Sequence, residues 1–195
     1  AFENIGLEKI NLENVEIIGD YAFIGCKNLK EIVLPPSIKE IGKEAFAHSG
    51  LEKVSLENIE KFGDFAFYKC ENLKEVELSS VKEIGEAAFL MSGLEKVSLE
   101  NVEIIGDYAF SDCENLKEIV LPSVKEIGGY AFKDSGLEKV SLENVEKIGN
   151  YAFSECKNLK EATLSSVKEI GEDAFIISGL EKVRIKNVEK IGNYA

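Results

Sequence analysis

Apolar residues occupy the same places in successive segments of 21 to 23 residues along this chain. One segment reads Leu94-x-x-Val97-x-Leu99-x-x-Val102-x-x-Ile105-Gly106-x-x-Ala109-Phe110. The Phe that closes the pattern recurs at Phe2, Phe23, Phe46, Phe67, Phe89, Phe110, Phe132, Phe153 and Phe175. A period this short and this strict predicts a solenoid, in which each coil packs only against its neighbours.

Two kinds of local structure are expected within each coil. The Leu-x-x-Val-x-Leu stretch ends with the two-residue alternation of a short strand, and stacked coils would pair these strands into a parallel sheet. The Ile-Gly-x-x-Ala-Phe stretch predicts a tight turn that leads into a short helical segment. The sequence therefore predicts an α/β solenoid of about nine coils of 21–23 residues, with a parallel strand-lined face and short helical or turn segments opposite. The Gly column, from Gly19 to Gly192, indicates either positive φ or a close approach by the neighbouring coil.

The true repeating unit is a pair of coils of two alternating types. One type carries Ser-Gly-Leu before its strand and the other carries Cys-x-Asn-Leu. The residue before the central strand Val alternates in charge with the coil type, as Lys9, Glu31, Lys53, Glu75, Lys96, Glu118, Lys139, Glu161 and Lys182. In a parallel stack each charge would face its opposite in both adjacent coils. An exposed pair is worth only about 0.2–1 kcal/mol, so these rows specify the register more than they stabilise the stack.

Composition excludes several classes of partner. The chain has 195 residues, 45% of them apolar, and no apolar run long enough for a transmembrane helix. Its net charge is −13 and its pI is near 4.7. Without a basic stripe to neutralise phosphates, we expect no nucleic-acid partner. We also expect no membrane insertion.

Candidate chemistry is sparse. The four cysteines, Cys26, Cys70, Cys113 and Cys156, share one column two coils apart. At ~4.8 Å per coil they are about 10 Å apart, beyond the ~7 Å Cα limit for a disulfide and too far apart to share one zinc ion. They are predicted to be small buried residues. The lone histidine, His48, has no Ser-His-Asp or Cys-His arrangement around it, so we predict no enzyme and no catalytic, cofactor or metal site.

Two stretches, 34–46 and 121–132, carry a family resemblance. They read Leu-Pro-Pro-Ser-Ile-Lys-Glu-Ile-Gly-Lys-Glu-Ala-Phe and Leu-Pro-Ser-Val-Lys-Glu-Ile-Gly-Gly-Tyr-Ala-Phe. This combination resembles the BspA-type, or Treponema pallidum-type, leucine-rich repeat, and the resemblance covers essentially the whole chain. It implies a curved solenoid with a strand-lined face. It also implies an extracellular or cell-surface protein of bacteria or parasitic protists, often an adhesin that binds host proteins.

A binding site is expected where the repeat stops repeating. The strand position between the Val and the second Leu varies, and its side chains should point outward. The candidate protein-binding residues at this position are Val33, Ser55, Glu77, Ser98, Val120, Ser141, Thr163 and Arg184. The alternative surface is an aromatic ladder on the predicted helical segment, formed by Tyr21, Phe65, Tyr108 and Tyr151, with Tyr130 out of phase. Aromatic stripes are favoured contact surfaces, although such rings also cover the core edge of their own coil.

Residues 1–195 are predicted to form a single repeat array. No polar capping repeat is evident at either end, so we expect a segment of a longer array. We predict a non-enzymatic, protein-binding solenoid, an adhesin-like recognition module whose protein ligand the sequence does not identify. The alternative is a structural or self-associating scaffold with consensus-like repeats and no specific ligand, whose open edges could associate edge to edge.

Overall fold

The computed structural model describes residues 2–3 and 5–195, and these form a parallel β-solenoid. Each complete coil contributes two short strands, which stack into two lines along the solenoid. Strand line A consists of β2 (Glu31–Ile32), β4 (Lys53–Val54), β6 (Glu75–Glu77), β8 (Lys96–Ser98), β10 (Glu118–Ile119), β12 (Lys139–Ser141), β14 (Glu161–Leu164) and β16 (Lys182–Ile185). Strand line B consists of β1 (Ile17–Ile18), β3 (Glu40–Ile41), β5 (Lys61–Phe62), β7 (Glu83–Ile84), β9 (Ile104–Ile105), β11 (Glu126–Ile127), β13 (Lys147–Ile148), β15 (Glu169–Ile170) and β17 (Lys190–Ile191).

The strands of line A pair in the register that the alternating charges predicted. In this line Glu118 pairs with Lys139, Lys139 with Glu161, and Glu161 with Lys182. Line A has two four-stranded sheets, β2-β4-β6-β8 and β10-β12-β14-β16, which an isolated bridge joins between Ser98 and Val120. Every side chain in line A therefore stands directly over its equivalent in the previous coil.

The core between the two strand lines is a set of stacked columns of apolar residues. The closing Phe of each coil stacks on the next, with ring centroids between 5.1 and 5.5 Å apart and planes within 9° of parallel. Six of these rings, from Phe46 to Phe153, are completely buried. Because a single coil exposes this ring on both sides, only stacking removes it from water.

The predicted helical segment does not form, and no helix occurs in residues 2–3 or 5–195. Alternate N–H groups of the Ile-Gly-x-x-Ala-Phe stretch instead donate to the next coil, as from Tyr21 to the carbonyl of Lys43 and from Phe23 to that of Ala45. The N–H groups between them close turns three residues back. A helix keeps these bonds within one segment, so the ladder between coils excludes it. The fold is all-β rather than α/β.

The number of coils is also smaller than predicted. Nine closing Phe residues bound only eight intervals, from Phe2 to Phe175, and strand line A has eight strands. The solenoid therefore makes about eight turns rather than nine. Each turn still takes 21 to 23 residues, as the sequence indicated.

From Gly42 onward, the glycines of the Gly column are needed because the preceding coil comes close. A Cβ added to Gly149 would lie 2.5 Å from the carbonyl carbon of Gly128 and 2.6 Å from the nitrogen of Gly129. Positive φ is not the cause, since among the described glycines only Gly25 has it. The left-handed conformation falls instead on non-glycine residues two places before and two places after most closing Phe residues, such as Tyr21 at 57°.

Candidate protein-binding surface

The variable position of strand line A forms a line of side chains along the outer face of the sheet. We call it the strand-face row, and its members are Val33, Ser55, Glu77, Ser98, Val120, Ser141, Thr163 and Arg184. Val33 and Val120 retain 76% and 72% of their surface, the highest values among the large apolar residues after Tyr194. Thr163 is half-buried and the other five are exposed. The row thus presents mostly small or polar side chains and two isolated valines.

Rows of alternating charge lie beside the strand-face row and pair between coils. Lys96 Nζ lies 3.2 Å from Glu75 Oε1, and Lys182 Nζ lies 3.1 Å from Glu161 Oε1. The hydrogen bond from Lys182 lowers the pKa of the Glu161 carboxyl. Because these pairs are exposed to solvent, their main effect is on register rather than on stability.

Three carboxylates near the strand-face row lie outside these pairs. Glu57, Glu77 and Glu100 are exposed, and none of them takes part in the ion pairs found within the described residues. Ser80 and Ser123 donate to the backbone carbonyls of Glu57 and Glu100, and these bonds do not involve the carboxylates. These three side chains carry negative charge that the fold does not neutralise.

Shallow depressions accompany the row at its N-terminal half. One, of about 710 Å³, is lined by Val33 together with Ile10 and Asn28. A second, of about 480 Å³, lies over Ser55 and Glu77. The outer face of line A is therefore not flat at the N-terminal end of the strand-face row.

The aromatic ladder is a continuous stack in its central part. Tyr130 stacks on Tyr108 with ring centroids 4.8 Å apart and on Tyr151 with centroids 4.7 Å apart. Tyr130 belongs to the other coil type, and it completes the stack because it also stands two residues before its closing Phe. A hydrogen bond with Asp173 raises the pKa of Tyr151 to about 12. Tyr21 and Phe65 lie in the same column but outside this stack.

The four thiols are buried and free, and the column that holds them alternates Cys with Ser. Cys70 Sγ lies 3.4 Å from Ser49 Oγ and donates to the carbonyl of Phe46 at 3.1 Å. Burial raises the pKa of Cys70 to about 12 and that of Cys113 to about 11. Sequence reasoning treated these residues as apolar filling and missed the hydrogen bonds, although the Cys–Ser alternation was visible.

A column of short acidic or amide side chains was also missed by the sequence reasoning. Asp20 Oδ1 accepts the backbone N–H of Lys43 in the next coil at 2.7 Å. The same bond recurs every second coil, with Asp64, Asp107 and Asn150 as acceptors. The signal was the Asp or Asn that follows the column Gly in every other coil.

The remaining candidates for a catalytic or metal site do not form a cluster. His48 is exposed and contacts the edge of Tyr68, with ring centroids 5.0 Å apart. No group of three His, Cys, Asp or Glu side chains suited to a metal ion occurs among residues 2–3 and 5–195.

Two stacked strand lines, apolar columns and 21- to 23-residue coils together define a leucine-rich repeat solenoid. The family profile described as BspA type leucine rich repeat region matches residues 1–101 and 82–195, with six copies. The chain belongs to the BspA-type leucine-rich repeat family.

Solved structures support this assignment. A leucine-rich repeat protein from Bacteroides ovatus is 30% identical, with a TM-score of 0.85 over 100% of this chain and 59% of that protein. The pneumococcal vaccine antigen PcpA is 25% identical, with a TM-score of 0.58 over 90% of this chain and 55% of its own. A leucine rich cell surface protein from Faecalibacterium prausnitzii shares the fold at 20% identity, with a TM-score of 0.52 over 88% of this chain and 65% of its own.

This chain therefore spans between half and two thirds of the length of each of these structures. A search among curated proteins finds no match. Within the described residues, no helix has the length and apolar character to cross a bilayer.

Proposed function

We propose that this chain is a non-enzymatic protein-binding module, located outside the cell or at its surface, that contacts its partner through the strand-face row. The observation that carries the proposal is the pair of exposed valines, Val33 and Val120, on a face that is otherwise polar. Neither valine contributes to the core. Burying each one against a partner would contribute roughly 1.5–3 kcal/mol.

The rigidity of line A supports a binding role. Each strand of the line is hydrogen-bonded to its neighbours in fixed register, so its outward side chains are held in place before a partner arrives. A preorganised surface loses little conformational entropy on binding. The small residues Ser55, Ser98 and Ser141 would let a partner approach the sheet closely.

Family membership supports the location. The F. prausnitzii structure is that of a cell surface protein and PcpA is a vaccine antigen. We extend an extracellular or surface location to this chain as part of the proposal. The raised pKa values of the buried thiols support a non-enzymatic role, because a neutral thiol is a poor nucleophile.

An array of purified extracellular-matrix and serum proteins tests the proposed function. Wild type is compared with Val33→Ser/Val120→Ser/Arg184→Ser, and with Ile17→Ser, which changes an exposed apolar residue on strand line B. We expect wild type and the Ile17→Ser variant to bind the same protein and the triple variant to lose it. Equal binding by all three chains excludes the strand-face row, and no binding by any of them favours the scaffold alternative.

A further inference from the structure

The two exposed valines of the strand-face row stand four coils apart. Val33 and Val120 are 87 residues apart in sequence, and Ser55, Glu77 and Ser98 occupy the three coils between them. At ~4.8 Å per coil the two valines are about 19 Å apart along the solenoid axis. Each valine is followed two residues later by a proline, of which Pro35 is half-buried and Pro122 is exposed.

In the described chain, three unpaired carboxylates and one unpaired lysine, Lys53, lie between the two apolar places, so the unpaired charge there is net negative. Glu77 lies in the row itself, and Glu57 and Glu100 lie three residues after the central strand Val of their coils. The ion pairs of the flanking rows, such as Lys74 with Glu95, leave these carboxylates unpaired. The segment from Val33 to Val120 therefore alternates apolar, acidic and apolar along one line.

The second half of the row differs. It continues through Ser141 and Thr163 to Arg184, with no exposed apolar side chain within the row. Lys182 is paired with Glu161, but Arg184 and Lys186 belong to none of the ion pairs in the part of the chain that the structure describes, so the unpaired charge there is positive. Glu143 continues the acidic position one coil beyond Val120, but only the coils from Val33 to Val120 combine acidic side chains with exposed apolar residues of the row.

This pattern has the dimensions of a short extended peptide. A strand advances about 3.3 Å per residue and its alternate side chains share one face. Residues i and i+6 of such a peptide lie about 20 Å apart on that face, which matches the separation of the two valines. Residues i+2 and i+4 then stand over the coils that carry Glu57, Glu77 and Glu100.

We propose that the row from Val33 to Val120 binds an extended basic segment of a partner protein, lying along the solenoid axis across the strands. Apolar side chains six residues apart contact Val33 and Val120, and Lys or Arg side chains between them pair with Glu57, Glu77 and Glu100. The inference rests on the proposed function, since it identifies the kind of partner that the strand-face row takes.

A series of synthetic peptides tests the inference. The parent is Leu-Ser-Lys-Ser-Lys-Ser-Leu with capped ends, and two variants place the leucines four or eight residues apart. A third variant replaces both lysines by glutamate. We expect the parent to bind about tenfold more tightly than either spacing variant, because each of those loses one apolar contact. We expect no binding of the glutamate peptide, and weaker binding of the parent as salt screens the exposed charges.

Matched variants of the protein assign the contacts. Val33→Ser, Val120→Ser and the Glu57→Gln/Glu77→Gln/Glu100→Gln variant are each expected to weaken parent-peptide binding about tenfold or more. Glu143→Gln changes the same coil position outside the segment and Ile17→Ser an exposed apolar residue elsewhere, and both are expected to bind as wild type does. Circular dichroism checks that each variant is folded.

The outcomes separate this inference from the proposed function. If affinity does not depend on leucine spacing or on peptide charge, the extended basic peptide is excluded. If the strand-face variants lose a protein from the array but no peptide binds, the row remains the surface and its partner is a folded protein instead. If Glu143→Gln weakens binding as much as the triple glutamine variant, the location between Val33 and Val120 is wrong.

Discussion

Asp107 in one coil accepts a hydrogen bond from the backbone N–H of Gly129 in the next, with Oδ1 2.6 Å from the nitrogen. The N–H belongs to a coil of the other type, which has no such side chain at this position. One coil type thus supplies an acceptor that its neighbour needs. The two-coil unit is therefore defined by backbone hydrogen bonding as well as by charge.

Replacing that acceptor should cost a modest amount of stability. Asp107→Ala leaves the Gly129 N–H without its partner and should lower the free energy of unfolding by about 1 kcal/mol. Asp107→Asn is the matched control, because Asn150 Oδ1 makes the same bond to Glu172 at 2.9 Å. Urea unfolding measures both. Equal losses of unfolding free energy in the Ala and Asn variants would mean that the negative charge of Asp107, rather than its hydrogen bond, stabilises the fold.

The Gly column gives a second pair of variants. Gly149→Ala places a Cβ 2.5 Å from the backbone of the preceding coil, so the coils must separate, and we expect a loss of about 1–3 kcal/mol. Gly19→Ala has no atom within 4 Å of its new Cβ and should change stability by less than about 0.5 kcal/mol. Thermal and urea unfolding provide the comparison. A similar loss at both sites would contradict the close-approach explanation.

Replacing Ile177 should make the folded protein more stable. Its φ is 57°, a conformation that is unfavourable for a β-branched residue and tolerated by Asn. Because its side chain is exposed, Ile177→Asn loses little burial and should raise the free energy of unfolding by about 0.5–1 kcal/mol. Ile176→Asn is the control, since Ile176 is half-buried and has no positive φ; it should be destabilising. Lower stability of the Ile177 variant would show that its strain is small.

Because the thiols are buried, we expect the stability of the fold to depend on pH in the alkaline range. In the folded state the pKa of Cys70 is about 12 and that of Cys113 about 11, against 9.0 for a free thiol. Below pH 9 both states keep the proton, so the thiols add no pH dependence there. As pH rises above 9 the unfolded chain loses protons that the folded chain retains, and stability falls.

Urea midpoints measured between pH 7 and pH 11 test this dependence. The fall in the midpoint above pH 9 should be smaller in the Cys70→Ser/Cys113→Ser variant than in wild type. Alkylation at pH 8 offers an independent measurement, since native thiols should react only as fast as the chain unfolds. Rapid alkylation of native Cys70 would show that the thiol is accessible.

Much of the fold follows from the sequence because equivalent residues stack directly. The facing of Glu161 with Lys182, the buried Phe column and the outward position of Val33 and Val120 all follow from a fixed period and two-residue alternation. Each of these depends only on which residue occupies a column.

The parts that could not be predicted depend on two coils at once. The Ala-Phe stretch is compatible with a helical turn until a second coil offers carbonyls to alternate N–H groups, as Lys43 does to Tyr21. The Cys–Ser contacts arise in the same way between coils. At the candidate surface, the outward position of the strand-face row was predictable. To predict that Glu57 and Glu100 are unpaired, one would have needed the position of every lysine side chain in the folded chain.

Coils with an acceptor such as Asp107 alternate with coils that supply the N–H of a residue such as Gly129. This alternation limits how the gene can change in length. Deleting or inserting one coil would place two coils of the same type next to each other and bring like charges together in the row that runs from Lys9 to Lys182. Recombination that adds or removes 43 or 44 residues keeps every row intact. Viable length variants of this array should therefore differ by even numbers of coils.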